Sequence, residues 1–255
     1  MVLIDSHCHL DASEFDPDRA EVLARANAAG IVAQVVPATT AASWEKLREV
    51  CLERTDLHPA YGLHPVFLDE HRPEDLQRLR QWIEREHPRA IGECGLDYFI
   101  ETLDRERQSF YFDAQLALAR DYDLPLVVHA RRSVEAVIQA IRRVGGVRGV
   151  VHSYAGSPEQ ARQLWELGFL VGLGGPVTYE RAHRLRRLVS EMPLEYLLLE
   201  TDAPDQPDAG IRGQRNEPAR LTAVLDCIAT LRNEPAEAIA AQTSLNAQRL
   251  FALPG

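Results

Sequence analysis

His7 and His9 in VLIDSHCHL, Glu93 in RAIGECGLDY, His129 in LPLVVHAR, His152 in VRGVVHSY and Asp202 in YLLLETDAP all stand where short apolar runs end. Neutral imidazoles and carboxylates emerging from the same end of successive strands can hold divalent cations and activate water, which is the chemistry of a metal-dependent hydrolase. Alternate residues of a strand share a face, so the His7–His9 pair can point together into one ion site. Glu93 closes an apolar run next to Gly92, where an unpaired carboxylate is costly and calls for a cation or an arginine. Its two oxygens allow it to bridge two ions, with His129 and His152 completing the second. Asp202 follows a last strand that closes against the first, which sets it beside His7 and His9 as a ligand and as acceptor of the proton from an attacking water.

The elements that must position these groups repeat one pattern, a short β-branched or apolar run, a turn, and a longer amphipathic stretch. Strands are predicted near residues 2–6, 31–36, 58–62, 89–93, 124–129, 147–151, 169–173 and 196–200. Helical spacing fills the intervals, as in DRAEVLARANAAG, PEDLQRLRQWIEREH, RERQSFYFDAQLALARDY and SPEQARQLWELG. Eight βα units in 255 residues, with no linker between them, predict one closed (β/α)8 TIM barrel spanning residues 1–255. A dinucleotide-binding sheet would need GxGxxG after the first strand, and GLGG after the seventh has neither the spacing nor the location. The Pro- and Gly-rich stretch DAPDQPDAGIRGQRNEP reads as a long loop after the eighth strand, at the end where barrel active sites form.

Composition narrows the function classes. The net charge of −10, from 38 acidic and 28 basic side chains, argues against a protein that coats nucleic acid, since such affinity comes from Lys and Arg neutralising phosphates. A nuclease stays possible because bound metal brings its own positive charge. No apolar run approaches the roughly 20 residues of a membrane helix, and no secretory leader is visible, so the expectation is a cytoplasmic protein without membrane contact or an obligate protein partner. Cys8, Cys51, Cys94 and Cys227 are widely spaced and form no CxxC pair, which predicts neither disulfides nor a thiolate zinc site. Cys8 and Cys94 alternate with inward ligands and should face the helix layer as small buried hydrophobes.

With these residues in view, the chain resembles a known family. DSHCHLD, GLHPV, GECGLDY, RQSFYFDAQLALARDYDLPLVVHARRS, HSYAGS, ETDAP and RGQRNEP occur in the order and spacing of the TatD-type metal-dependent deoxyribonucleases, from residue 4 to about 250. The resemblance implies an amidohydrolase-like barrel, His7, His9, Glu93, His129, His152 and Asp202 as ligands of two divalent ions (Mg, Mn or Zn), and hydrolysis of DNA 3′ ends through a metal-activated water. The catalytic groups are then Asp202 and Glu93. It also implies that His64 contacts a substrate phosphate. Tyr154 stands where many relatives carry Phe, and Asp205–Gln206 where they continue with Tyr-Leu; both departures fall at the expected substrate mouth.

Arg131, two residues beyond His129, and Arg212, in the final loop, are candidate phosphate clamps. Asn216 before Glu217 and Pro218 reads as a helix N-cap, and Asp97 and Tyr98 as groups that fix ligands or loops. His58, His71, His87 and His183 are expected at the surface, and Trp44, Trp82 and Trp165 in helix-to-barrel packing. The competing readings are an ester or amide hydrolase on the same barrel, for example on aminoacyl-tRNA, and a metal-stabilised binding protein without turnover. Asp202 argues against the latter, because mere ligation has no need of a further base.

Overall fold

The computed structural model describes residues 1–254. Eight parallel strands lie in one sheet in chain order: β1 (Leu3–Asp5), β2 (Ile31–Pro37), β3 (Leu57–Tyr61), β4 (Ala90–Asp97), β5 (Leu126–Arg131), β6 (Gly149–Val151), β7 (Phe169–Leu173) and β8 (Leu197–Leu199). The two outer strands meet. Ser6 N–H donates to Leu199 O at 3.0 Å and Asp202 N–H to His7 O at 2.9 Å, continuing the ladder across the seam and closing the barrel. Between strands run α1 (Arg19–Ala28), α2 (Trp44–Leu52), α3 (Glu74–Glu86), α4 (Arg105–Asp121), α5 (Val134–Val144), α6 (Pro158–Glu166) and α7 (His183–Glu191); α8 (Leu221–Arg232) and α9 (Ala236–Phe251) follow β8. This is the (β/α)8 architecture that the repeating pattern predicts.

Local chemistry explains the limits of the helices. Ser157 accepts the N–H of Gln160 while the Gln160 side chain accepts the N–H of Ser157, a reciprocal cap with Pro158 at the first helical position. Asp104 accepts the N–H groups of Glu106 and Arg107 to start α4. The boundary that differs most from expectation is in the fourth strand. The fourth strand does not stop at Glu93 but continues to Asp97, because Cys94 and Leu96 pack outward and every polar side chain facing inward finds partners. At Gly95 the backbone has φ +134°, and a Cβ would lie 2.1 Å from His129 O, so only glycine lets β4 and β5 approach so closely.

Alternation along the strands divides two apolar layers. Outward residues, Cys8 and Cys94 among them, pack against the helices, with Trp44 fully buried and donating its indole N–H to Gly62 O at 3.1 Å. The cysteines are free thiols. The inward layer at the N-terminal end of the barrel consists of Ile4, Ala33, Val35, Ala60, Ala90, Val127, Val150 and Leu198. It is completed from outside the barrel: α9 brings Ala247, Leu250 and Phe251, with Leu253 just beyond, against these residues. Asn246 Nδ2 holds α9 in place by donating to Leu194 O at 2.7 Å and Leu197 O at 2.9 Å. The apolar floor leaves polar groups only the C-terminal end of the barrel.

His58 and His71, expected at the surface, are buried. His58 lies within β3, and His71 places Nε2 2.8 Å from His64 O with its ring edge against Tyr111. His87 and His183 are exposed. Removing the aromatic plug should be costly, since large-to-small substitutions of buried aromatics typically lose about 3–5 kcal/mol. Phe251→Ala is expected to lower unfolding stability by that amount in urea titrations followed by circular dichroism; a loss below about 1 kcal/mol would show that α9 does not support the barrel floor.

Candidate metal centre

β1 delivers His7 and His9 at its C-terminal end, β4 delivers Glu93, β5 His129, the residue after β6 is His152, and Asp202 follows β8. All of them converge. Glu93 is 1% exposed and sits at the middle of five imidazoles. Its Oε2 lies 3.2 Å from His7 Nε2 and 3.3 Å from His9 Nε2. Its Oε1 lies 2.7 Å from His152 Nε2, 2.9 Å from His64 Nε2 and 3.1 Å from His129 Nδ1. Asp202 Oδ1 joins the first side, 3.3 Å from His7 Nε2 and 3.6 Å from His9 Nε2. The backbone makes this possible at Gly62 and Gly92, where β3 and β4 run so close that a Cβ on Gly62 would meet Gly92 C at 2.6 Å.

Partners of the remote ring nitrogens decide what the near ones offer. Pro37 O can only accept, so His9 carries a proton on Nδ1, at 3.1 Å, and turns Nε2 toward Glu93. Asp97 Oδ2 lies 2.9 Å from His129 Nε2 and fixes the proton there, which leaves Nδ1 facing Glu93. Lone pairs of His9 and His129 therefore confront carboxylate oxygens, an arrangement that needs positive charge between them. Protons or divalent cations both supply it. His64 differs: Val66 N–H donates to its Nδ1 at 3.1 Å, so the neutral ring carries its proton on Nε2 and donates to Glu93. Three overlapping groups have ligand atoms close enough for one ion: His7–Glu93–His152, His7–His9–Asp202 and His64–Glu93–His129. The protonated Nε2 of His64 removes it from the third as a ligand. For the remaining residues the donor set fits divalent cations.

The electrostatics follow from burial and mutual pairing. Burial alone would raise Glu93, but His152, His64 and His7 hold it well below the ordinary carboxylate range. Burial opposes charge on His152 and His9, yet Glu93 outweighs it and lifts them to about 10 and about 9. His64 is pushed down to about 4 by burial, consistent with its neutral donor role. Asp202 is raised by burial, in spite of His152 and His9. Gln206 donates Nε2–H to Asp202 Oδ2 and accepts Ser153 Oγ–H at 2.8 Å, so a residue at one of the family departures holds this carboxylate in place.

Two buried acids escape sequence reasoning. Asp5 accepts the N–H of His7 at 3.2 Å, Thr201 N–H at 3.0 Å and Thr201 Oγ1–H at 2.6 Å, pinning the β1–β8 seam beneath the cluster; burial raises it to about 7. Glu200 precedes Thr201 and is likewise pushed up by burial, to about 8. Their signal in sequence is only that each lies two residues before a member of the cluster.

The cluster opens into a cleft of about 1180 Å³ lined by His9, His64, Glu93, His129, His152 and Asp202 at its base and by Phe67, Phe99, Arg131, Arg132, Tyr154 and Arg184 nearer its mouth. Arg131 lies with its guanidinium 3.7 Å over the Phe99 ring. Arg212 does not reach the cleft. The loop after β8 is tied down by Arg215 on Asp18 and Arg220 on Asp208, which leaves Arg212 exposed on the outer side. Asn216 caps no helix. It is buried, and its Nδ2 donates to Thr201 O at 2.9 Å and Asp205 O at 2.8 Å, binding the loop to the segment that carries Asp202.

The chain is similar to known proteins over nearly its whole length. An uncharacterized metal-dependent hydrolase of Escherichia coli K12, YjjV, is 40% identical over 254 residues, covering 98% of each chain. The crystal structure of YjjV, a TatD homolog, superposes with a TM-score of 0.95 at 39% identity, over 99% of this chain and 98% of that one. The 3′-5′ ssDNA/RNA exonuclease TatD of Erwinia tasmaniensis is 35% identical over 98% of this chain and 100% of its own. Residues 4–252 match the family described as TatD related DNase, so the chain, a metal-dependent hydrolase built on an eight-stranded parallel barrel, belongs to that family.

Proposed function

We propose that the protein is a divalent-metal phosphodiesterase that removes nucleotides from the 3′ end of single-stranded DNA, with two ions held around Glu93. The observation that carries this reading is the division of Glu93, whose Oε2 faces His7 and His9 and whose Oε1 faces His129 and His152. His7, His9 and Asp202 would hold one ion, His129 and His152 the other, and Glu93 would be shared. The bound ions supply Lewis acidity toward a phosphoryl oxygen and promote ionisation of the attacking water. Mg, Mn and Zn all suit a mixed imidazole–carboxylate set.

The chain's own groups do the rest. Asp202, at the inner end of the cleft, accepts the proton of the attacking water. His64 presents Nε2–H as a neutral donor, able to exchange Glu93 for a nonbridging phosphate oxygen. Arg131, lining the cleft above the cluster, supplies the forked donor for a phosphate. The exonuclease named among the relatives supports nucleic acid as the substrate class. An ester or amide hydrolase would use the same cluster but has no need of the Arg131, Arg132 and Arg184 guanidinium groups that line this cleft.

Metal analysis of protein incubated with excess Mn or Zn should give two ions per chain. Glu93→Ala should lower occupancy of both, and His152→Ala mainly of one; wild-type occupancy that stays at zero would refute the centre.

Metal-loaded protein should shorten 3′-end-labelled single-stranded DNA, and chelator should abolish this, while a panel of esters and amides stays intact. Asp202→Asn keeps shape and a ligating oxygen but removes the proton acceptor, so turnover should fall by about 10²- to 10⁴-fold with metal content retained. Hydrolysis within a few-fold of wild type would reduce Asp202 to a structural ligand, and cleavage of the esters alone would replace the nuclease reading.

Arg131→Ala should raise the Michaelis constant for DNA about tenfold or more without changing metal content, whereas Arg212→Ala should leave it unchanged. Equal effects of the two substitutions would contradict the placement of the phosphate beside Arg131.

A further inference from the structure

The cluster as described uses neither Glu200 nor the far nitrogen of His152. Both are buried, and they face each other. Glu200 is 0% exposed, and its Oε2 has no hydrogen-bond partner; neither has Nδ1 of His152. The other carboxylate oxygen, Oε1, accepts Ser153 N–H at 2.5 Å and stands 3.8 Å from His152 Nδ1, beyond hydrogen-bond reach but within ion-pair reach. Among the described residues this histidine is the one ion-pair partner of Glu200; no Lys or Arg approaches it.

The neighbouring strand is cut to fit this acid. A Cβ on Gly172 of β7 would stand 2.0 Å from Glu200 Oε2, so any larger residue there would evict the carboxylate. A buried acid with an unpartnered oxygen is costly, and a strand that clears space for one points to a use for it. On the opposite edge of the ring His152 Nε2 lies 2.7 Å from Glu93 Oε1. The imidazole is thus strung between two buried carboxylates. His129 shows the same construction complete, with Asp97 at hydrogen-bond distance from its far nitrogen. Metal-ligating imidazoles usually give their other N–H to such an acceptor, which sets the tautomer and strengthens the ligand.

We infer that Glu200 is a positioning residue of the metal centre, accepting the Nδ1 proton of His152 so that Nε2 offers its lone pair beside Glu93. It does for His152 what Asp97 does for His129. The inference rests on the two-ion reading proposed above. A purely structural Glu200 would instead be an unpaired buried acid, and its replacement by an apolar group of similar size would leave metal binding untouched.

Zinc titrated alone into wild type, Glu200→Gln and Glu200→Leu, against a chromophoric chelator, separates these cases. Glu200→Leu should weaken one of the two zinc affinities by about 10- to 100-fold and leave the other near wild type, with Glu200→Gln, whose amide oxygen can still accept, falling between. Wild-type affinity for both ions in Glu200→Leu would overturn the inference. A second readout needs no variant at position 200: long-range ¹H–¹⁵N spectra of zinc-loaded wild type, assigned with His152→Ala, should place the His152 proton on Nδ1 and shield it from exchange with solvent. A proton on Nε2 would overturn the inference even if both substitutions prevented folding. Wild type that takes up no zinc would instead remove the two-ion reading itself, and the role of Glu200 with it.

Discussion

A carboxylate enclosed in a protein needs positive charge around it, and the C-terminal end of this barrel is organised to bring that charge to Glu93. Five imidazoles from four different parts of the chain meet its two oxygens. No short-range rule of sequence does this. Parallel register does, because each strand ends at a height set by its neighbour, so that Gly95 pairs with His129 and Val151 with Val171 across the sheet. The apolar floor below and the glycines beside Glu93 then leave the imidazoles little freedom to move apart. Charge balance, strand register and close backbone approach are here one constraint seen at three scales.

The seam between β1 and β8 is held by side-chain as well as backbone hydrogen bonds. Asp5 bonds to both backbone and hydroxyl of Thr201, Ser6 Oγ donates to Leu199 O at 3.0 Å, and Asp202 N–H reaches His7 O. Both sides of this junction bear residues of the candidate metal cluster, His7 and His9 on one and Asp202 on the other. The bonds that close the barrel are therefore also the bonds that bring His7, His9 and Asp202 together, and the two ends of the cluster cannot be aligned unless the ring is shut. Asn216 extends the same tie outward, holding the long loop against the segment that follows β8.

Much of this was legible in the residues. The HxH pair, the apolar runs before His129 and His152, and ETDAP after YLLL each state a strand and the polar group at its end, which is why strand order and the convergence of the six residues could be read from spacing. What could not be read depends on partners far away in sequence. Glu93 looked like a strand end because a charged residue interrupts an apolar run; only the five imidazoles let β4 continue through it to Asp97. His58 and His71 looked exposed because charged residues surround them in the chain, whereas helix packing and His64 O enclose them in space. Arg212 belongs to a loop whose course is set by Arg215–Asp18 and Arg220–Asp208, pairs separated by 197 and 12 positions. Glu200 was invisible for another reason: the clue to it is the absence of a side chain at Gly172, in GLGG on the adjacent strand.

The floor has a consequence for how the chain reaches its shape. Leu250, Phe251 and Leu253 pack against interior residues of strands that begin at Leu3, and Ser6 meets Leu199 across 193 positions. Synthesis runs from the N-terminus, so every strand of the barrel is made before the residues that seal it from beneath. The ring and its floor cannot form progressively as the chain emerges. Until the last turn of α9 is free, the growing polypeptide carries an open sheet edge and an uncovered apolar interior, so closure waits for residues near position 250.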